Sequence, residues 1–151
     1  MRIVVDDLSG PEIKAFLEEH LEEMREISPP ESTHALDLDG LRRPEVTFWS
    51  VYDGDELVGC GALKELDATS AELKSMRTAR TAKRRGVAST LLQHILTEAG
   101  RRGFTRLYLE TGTDDHFAPA RALYAKYGFT RCEPFADYPE DPNSTHLTRV
   151  L

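Results

Sequence analysis

The segment between Ala71 and Thr111 constrains the fold of this chain more than any other stretch. An extended run at residues 71–78 is followed by a helical pattern at 86–101 and by a second extended run at 104–111. One helix between two strands is the arrangement of a right-handed crossover, in which both strands lie parallel in one sheet. The apolar positions of the helix recur at helical spacing; they are Ala88, Leu91, Leu92, Ile95, Leu96 and Ala99. The segment therefore predicts a parallel pair of strands covered by an amphipathic helix.

The rest of the chain supplies further strands and two more helices. Strands are predicted at 2–5, 46–52, 57–64, 128–134 and 145–151, and helices at 11–26 and 117–127. Ser9 is the expected N-cap of the first helix, and Ser28-Pro29-Pro30 is expected to end it. A chain of 151 residues with 40% apolar composition suits a single core. We therefore expect one mixed α/β domain over residues 1–151.

The residues that join the first crossover strand to its helix form a candidate anion site. They are Lys83, Arg84, Arg85, Gly86, Val87, Ala88 and Ser89. The first N–H groups of a helix have no intrahelical acceptor, and the helix dipole adds partial positive charge, so this position suits a phosphate. No acidic residue occurs from Leu73 through Thr97 in a chain of net charge −7. Because the Gly-x-x-x-x-Gly-Lys-Ser/Thr loop of nucleotide triphosphatases is absent, the alternatives are another phosphate ligand or a solvated basic helix start.

Composition narrows the class of protein. The acidic balance argues against a nucleic-acid module. No apolar run reaches the ~18–20 residues of a membrane span, and the first residues lack a signal-peptide core. Two cysteines are too few for a disulfide scaffold, and the five histidines show no metal-ligand spacing. We expect a cytoplasmic protein with no metal, membrane or nucleic-acid partner.

The order of these motifs resembles the GNAT superfamily of acetyl-CoA-dependent N-acetyltransferases over nearly the whole chain. The family motif Gln/Arg-x-x-Gly-x-Gly/Ala corresponds to residues 83–88, with Lys83 at the position of Gln or Arg. Residues 120–129 resemble the signature of the family's fourth helix, an Ala–Leu–Tyr run that ends in Gly-Phe. Four shorter stretches, 29–36, 74–78, 109–112 and 134–138, are similar to a bacterial subgroup of small acetyltransferases.

The resemblance implies a fold and a cosubstrate. The fold is a mixed, mostly antiparallel sheet of about seven strands flanked by helices, with a parallel strand pair that splays at the cofactor site. The cosubstrate is acetyl-CoA, with its pyrophosphate on backbone amides from Arg84 to Ser89 and its pantetheine beside the backbone of Met76 and Thr78. Arg84 and Arg85 either add charge to the 3′-phosphate or extend into solvent.

The resemblance also implies catalytic roles. Tyr124 occupies the position where many GNAT enzymes keep a tyrosine beside the coenzyme A sulfur, as a general acid; the alternative is a core aromatic. Glu72 stands eleven residues before Lys83, the separation at which some members carry a glutamate base. The alternatives for Glu72 are a solvated strand-edge side chain, or a base role taken by Glu110 instead. The backbone N–H of Met76 is the candidate oxyanion donor.

The predicted reaction moves an acetyl group to a primary amine of a small molecule or protein side chain by direct attack in a ternary complex. The predicted acceptor contacts are Glu31, His34, Glu110 and Asp137. Acidic excess outside residues 73–97 favours an acceptor that is cationic before deprotonation. The alternative function is a non-catalytic acyl-CoA-binding regulatory domain, and analogy with the family suggests a homodimer.

Overall fold

A computed structural model describes residues 1–27 and 38–151 of the chain. The strands are β1 (Arg2–Val5), β2 (Val46–Asp53), β3 (Glu56–Glu65), β4 (Ser70–Thr78), β5 (Arg106–Gly112), β6 (Thr130–Arg131) and β7 (Ser144–Val150). The helices are α1 (Pro11–Ile27), α2 (Leu38–Leu41), α3 (Val87–Arg101) and α4 (Ala118–Lys126). Short 3-10 turns precede α3 and α4, at Arg80–Ala82 and Asp115–Phe117.

The seven strands form one sheet in the order β1-β2-β3-β4-β5-β7-β6. Every neighbouring pair is antiparallel except β4 and β5, which are parallel and joined by α3. The predicted mixed α/β fold, with a mostly antiparallel sheet and one parallel pair, is thereby confirmed. β4 and β5 are parallel because the crossover helix α3 returns the chain to the end of the sheet where β4 began.

Apolar residues cover both faces of the sheet because strand side chains alternate between them. Trp49 and Val51 of β2 belong to the larger core, which includes the buried face of α3. Phe48 belongs to a second core with Ile13 and Leu17 of α1. Two layers of helix therefore enclose the sheet, with α1 on one face and α3 on the other.

The parallel pair β4–β5 separates halfway along its length. Pairing runs from Ser70 opposite Arg106 to Leu73 opposite Leu109 and ends there. Beyond this point β4 pairs with β3 alone, and β5 with β7 alone. The sheet therefore contains a gap between residues 74–78 of β4 and residues 110–112 of β5.

A β-bulge in β4 lies at the gap. Ser75 and Met76 lie opposite the single residue Gly61, since Lys74 pairs with Ala62 and Arg77 with Cys60. Ser75 has a φ of 55°, an uncommon left-handed conformation for a residue with a side chain. The buried Cys60 thiol donates to the Ser75 carbonyl at 3.3 Å, and burial raises the pKa of this thiol to about 12. Bulges bend the strand that carries them, so this one helps β4 to diverge from β5.

Two local predictions differ from the structure, and one short helix was not predicted. The strand predicted at 128–134 is limited to Thr130–Arg131, because Pro134 has no N–H to donate and a turn follows at Ala136, whose φ is 50°. Gly10 rather than Ser9 precedes α1, and its carbonyl accepts from Lys14 N–H, while the Ser9 hydroxyl donates to Asp7. The short helix α2 was not predicted, because four residues show no periodicity. The predicted end of α1 at 28–30 lies outside the described residues.

Candidate active site

A cavity of about 110 Å³ passes through the gap between β4 and β5. Its strand walls are residues 72–76 of β4 and 109–111 of β5. Helix α1 contributes His20 and Met24 from one face of the sheet, and α4 contributes Ala120 and Tyr124 from the other. The cavity therefore connects both faces of the sheet, as a groove for an elongated ligand requires.

The N-terminus of α3 presents unpaired backbone donors. Gly86 precedes the helix in a left-handed conformation with a φ of 80°, and its carbonyl accepts the first helical bond from Thr90 N–H at 2.9 Å. The N–H groups of Val87, Ala88 and Ser89 consequently have no intrahelical acceptor. Apart from its neighbours along the chain, no described residue has an atom within 4 Å of the position that a Gly86 Cβ would take, so the described structure leaves this side of the loop open. Amides in this arrangement suit an anion, and phosphate binding at this helix N-terminus stays a prediction.

The basic residues of the loop before α3 are Lys83, Arg84 and Arg85, and all three are exposed. Arg84 adopts a left-handed φ of 68°, which turns the chain immediately ahead of Gly86. The Arg85 guanidinium donates to the Thr81 carbonyl at 3.0 Å and lies 3.5 Å from Asp53. The Arg85 N–H is also engaged, with Ala82 O at 3.3 Å, so it is not one of the open donors.

Tyr124 lines the groove from α4 with 7% of its surface exposed. Its ring packs edge-on against Phe129, with ring centroids 5.8 Å apart. Burial raises the pKa of its hydroxyl above the ordinary value of 10. A buried phenol that stays protonated at neutral pH is available as a proton donor.

Glu72 is 2% exposed and belongs to a polar cluster in the groove wall. Its Oε2 accepts a hydrogen bond from Lys74 Nζ at 3.0 Å and another from the Tyr138 hydroxyl at 2.6 Å. Lys74 Nζ also donates to the Tyr138 hydroxyl at 2.6 Å. The prediction of a solvated strand-edge glutamate does not describe this side chain, which is enclosed.

Some of the other predicted site residues line the groove and others do not. Met76 and Glu110 line it, and Thr78 ends the part of β4 that lies beside the gap. Asp137 is exposed in the turn before Tyr138 and does not line the cavity. Glu31 and His34 lie outside the described residues.

Charged contacts place α1 against the groove. Arg77 on β4 binds Glu23 at 2.9 Å and Glu19 at 3.1 Å. Glu23 lies 3.3 Å from His116, on the turn before α4. Burial acts to raise the pKa of Glu23, but the hydrogen bond and charge of Arg77 outweigh it, so this pKa lies below its usual value. These contacts therefore connect α1, β4 and the turn before α4 around one end of the cavity.

Sequence reasoning missed three titratable residues of the groove. They are His20, Lys74 and Tyr138. His20 reads from the sequence as one more polar residue on an acidic helix face, yet burial and the charge of Arg77 lower its pKa from 6.5 to about 4. Tyr138 was part of a stretch noted for its family resemblance, but nothing local indicates that it contacts a residue on β4. Burial and the neighbouring Glu72 raise the pKa of Tyr138 well above 10.

The described residues contain neither a metal-binding cluster nor a membrane-spanning helix. Within residues 1–27 and 38–151, no three His, Cys, Asp or Glu side chains are grouped so as to hold a metal ion. Over the same residues, no helix has both the length and the apolar character needed to cross a bilayer.

The split parallel pair, the open helix N-terminus and the buried groove between them define the class of protein. Residues 13–129 match the Acetyltransferase (GNAT) family. The chain belongs to this family.

Two curated relatives match almost the whole chain. The "Uncharacterized N-acetyltransferase YsnE" of Bacillus subtilis (strain 168) is 57% identical over 151 residues, which is all of both chains. The "Uncharacterized N-acetyltransferase YedL" of Escherichia coli (strain K12) is 54% identical over 149 residues, covering 99% of this chain and 94% of the relative.

Solved structures share the fold. An acyl-CoA N-acyltransferase from Klebsiella pneumoniae superposes with a TM-score of 0.83 at 27% identity, covering 99% of this chain and 97% of the other. A GNAT family acetyltransferase from Elizabethkingia anophelis with acetyl-CoA bound superposes with a TM-score of 0.67 at 17% identity, with the same coverage.

Proposed function

We propose that this protein transfers the acetyl group of acetyl-CoA to a primary amine within the β4–β5 groove. The observation that carries the proposal is the gap itself, with open amides at the N-terminus of α3 and the buried side chains of Glu72 and Tyr124 in its walls. Membership of the GNAT family and the similarity to YsnE and YedL support the same reaction class.

The described residues fit acetyl-CoA as the substrate that donates the acetyl group. The amides of Val87, Ala88 and Ser89 suit its pyrophosphate. The gap-side backbone of Met76 and Thr78 is available to the pantetheine, because β5 no longer pairs with β4 there. The exposed Lys83, Arg84 and Arg85 supply positive charge near the phosphates, and Arg85 would exchange its contact with Asp53 to do so.

Acetyl transfer needs a base, an oxyanion donor and a proton donor, and residues of this groove are proposed for each role. An alkyl ammonium has a pKa of about 10, so the acceptor must lose a proton before it attacks. Glu72 accepts that proton through a water, and the amine nitrogen then bonds to the thioester carbon while the Met76 N–H stabilises the oxyanion. The C–S bond breaks as Tyr124 donates its proton to the sulfur, releasing the thiol. As the carbonyl re-forms, the nitrogen loses its second proton, which solvent carries to the phenolate, and Glu72 releases the first proton to solvent, so that both groups return to their starting states.

The acceptor is proposed to be a small cationic amine or a lysine-like side chain. Glu110 lies in the groove wall, and the chain carries net charge −7. Asp137 is exposed one residue before Tyr138, so it acts on the acceptor through its field or at the mouth of the groove. Roles of Glu31 and His34 in acceptor binding stay predictions.

The cellular location, the domain organisation and the oligomeric state are considered on separate grounds. A cytoplasmic location in a bacterium is supported by the free thiols of Cys60 and Cys132 and by the two bacterial relatives. One N-acetyltransferase domain over residues 1–151 is supported by the single sheet with helices on both faces. The homodimer predicted by analogy stays a prediction.

A binding module without catalysis is the competing function. It has no need of a buried carboxylate and a buried phenol in the same groove, whose enclosure costs free energy. The deciding experiment monitors thiol release from acetyl-CoA with a panel of primary amines. Acetyl transfer predicts amine-dependent thiol release with an equal amount of N-acetyl product. Acetyl-CoA binding without amine-dependent release would favour the binding module.

A further inference from the structure

The two oxygens of Glu72 have different surroundings. Both hydrogen bonds from Lys74 and Tyr138 reach Oε2, at 3.0 and 2.6 Å. Among the described residues, no hydrogen bond reaches Oε1, although the side chain is 2% exposed and lines the groove. One oxygen is therefore held by two donors, and the other is left for a ligand in the cavity.

The two donors are themselves held firmly. The side chain of Lys74 is 8% exposed, so its ammonium cannot leave the carboxylate for bulk water. The ring of Tyr138 packs against Phe135 and His146, with ring centroids 5.1 and 5.4 Å away. Tyr138 lies in the connection between β6 and β7, sixty-six residues after Glu72. Its contact joins that connection to the groove wall and restricts the rotamer of the carboxylate.

We propose that Lys74 and Tyr138 are positioning residues for Glu72. By occupying Oε2 they aim Oε1 at the acceptor, so that the water-relayed proton of the ammonium arrives at Oε1. This inference rests on the proposed function and adds to it the means by which the base is oriented. A buried ion pair that only stabilises the fold is the competing explanation, and it predicts no coupling to the chemical step.

Tyr138→Phe is the most informative variant, because it removes the hydroxyl and keeps the ring in its aromatic cluster. Tyr108→Phe is the matched control, since its ring packs on Phe135 with centroids 4.9 Å apart but does not line the groove. Lys74→Met is a second variant, expected to be less stable because it leaves a buried carboxylate without its cation.

The expected results separate positioning from stability. Tyr138→Phe is expected to lower kcat by about tenfold, within the range for a misplaced general base, while the thermal shift by acetyl-CoA is unchanged. The acidic limb of the pH–rate profile should move to higher pH, because a donor to the ionised carboxylate has been lost. The other charged and titratable groups that line the cavity around Glu72 are Lys74, Tyr138, Glu110, His20 and Tyr124, and all of them except Tyr138 are intact in this variant. Tyr108→Phe should leave both kcat and the profile unchanged.

A double-mutant cycle completes the test. In a Glu72→Gln background, which itself turns over slowly, adding Tyr138→Phe should change kcat by less than about twofold, since residues that act as a unit are non-additive. A full additional tenfold loss would show that Tyr138 does not act through Glu72 and would overturn the inference, as would wild-type kcat and pH profile in Tyr138→Phe.

Failure of the proposed function gives a different result. Wild-type protein that binds acetyl-CoA but releases no thiol with any amine contradicts the function, and the inference with it. Wild-type turnover in Glu72→Gln contradicts the base assignment and the inference while leaving acetyl transfer intact.

Discussion

Replacement of Tyr124 by phenylalanine separates the catalytic role of this residue from a role in the core. The ring packs against Phe129 and is 7% exposed, so the substituted ring should keep the same place. No hydrogen bond joins the Tyr124 hydroxyl to a described residue. Removing a hydroxyl that no described residue binds, and that is not among the buried unsatisfied atoms, should change the free energy of unfolding by no more than about 1 kcal/mol.

The effect on the chemical step should be much larger. Loss of a general acid typically costs about 10²–10⁴-fold, and we expect at least about tenfold here, or about 1.4 kcal/mol in the barrier. Burial raises the pKa of Tyr124 above 10, so the wild-type phenol stays protonated throughout the usual assay range. The wild-type rate should therefore show no loss from Tyr124 ionisation below pH of about 10.

The assay is thiol release in single turnover, where the chemical step is observed separately from product release. Thermal unfolding with and without acetyl-CoA reports folding and cofactor binding for the same sample. Tyr108→Phe is again the matched control. If Tyr124→Phe keeps the wild-type single-turnover rate, the phenol is a core aromatic and the general-acid assignment is refuted.

Three further predictions concern stability and acceptor recruitment. The pKa of His20 is about 4 in the folded protein against 6.5 when unfolded, so its contribution to stability is present above pH of about 6.5 and is lost as the pH falls towards 4. At 1.36 kcal/mol per pKa unit, this loss reaches about 3 kcal/mol. The free energy of unfolding in urea, measured across this pH window, should depend less on pH for His20→Gln than for the wild type. An unchanged pH dependence would contradict the prediction. Gly61→Ala should destabilise the protein by about 1–3 kcal/mol, because its Cβ would lie 2.5 Å from Met76 Sδ and 3.1 Å from a Leu91 methyl carbon. Gly100→Ala should not destabilise it, because among the described residues no atom beyond its own helix lies within 4 Å of the added Cβ. Equal denaturation midpoints for the two variants would count against this packing. For the best amine, kcat/KM should fall as salt is raised, and indifference to ionic strength would exclude electrostatic recruitment by the acidic surface.

The elements of the fold could be predicted because their signals are local. The apolar spacing of α3 and the glycine before Val87 each specify one element, and the crossover rule sets how two strands are related. The short β6 was overestimated, because the turn at Ala136 depends on its surroundings rather than on a glycine.

The loop and helix start at residues 83–89 were predictable for the same reason, whereas the arrangement of residues at the acceptor end of the groove was not. The contact of Tyr138 with Glu72 joins residues sixty-six apart and depends on the turn that leaves Asp137 exposed. Asp137 was predicted from its charge and from its place in a stretch of family resemblance, although its neighbour Tyr138 is the residue that lines the cavity. Burial of Lys74 beside Glu72 likewise follows from the separation of β4 and β5, which no single stretch of sequence specifies.

Acetyl-CoA binding by Gly86→Glu tests the central claim most directly, because every assigned role depends on the cofactor lying against the N-terminus of α3. At about 100 times Kd, acetyl-CoA should stabilise the wild type by about 2.7 kcal/mol and raise its Tm by roughly 5–10 °C. Gly103→Glu is the matched control, since Gly103 lies just beyond the other end of α3 with a φ of 90°, and no described residue beyond its chain neighbours lies within 4 Å of an added Cβ. Both variants place a side chain in the left-handed region and should lose similar stability. The account predicts that Gly103→Glu keeps the full thermal shift and that Gly86→Glu loses it; a full shift in Gly86→Glu would contradict the account.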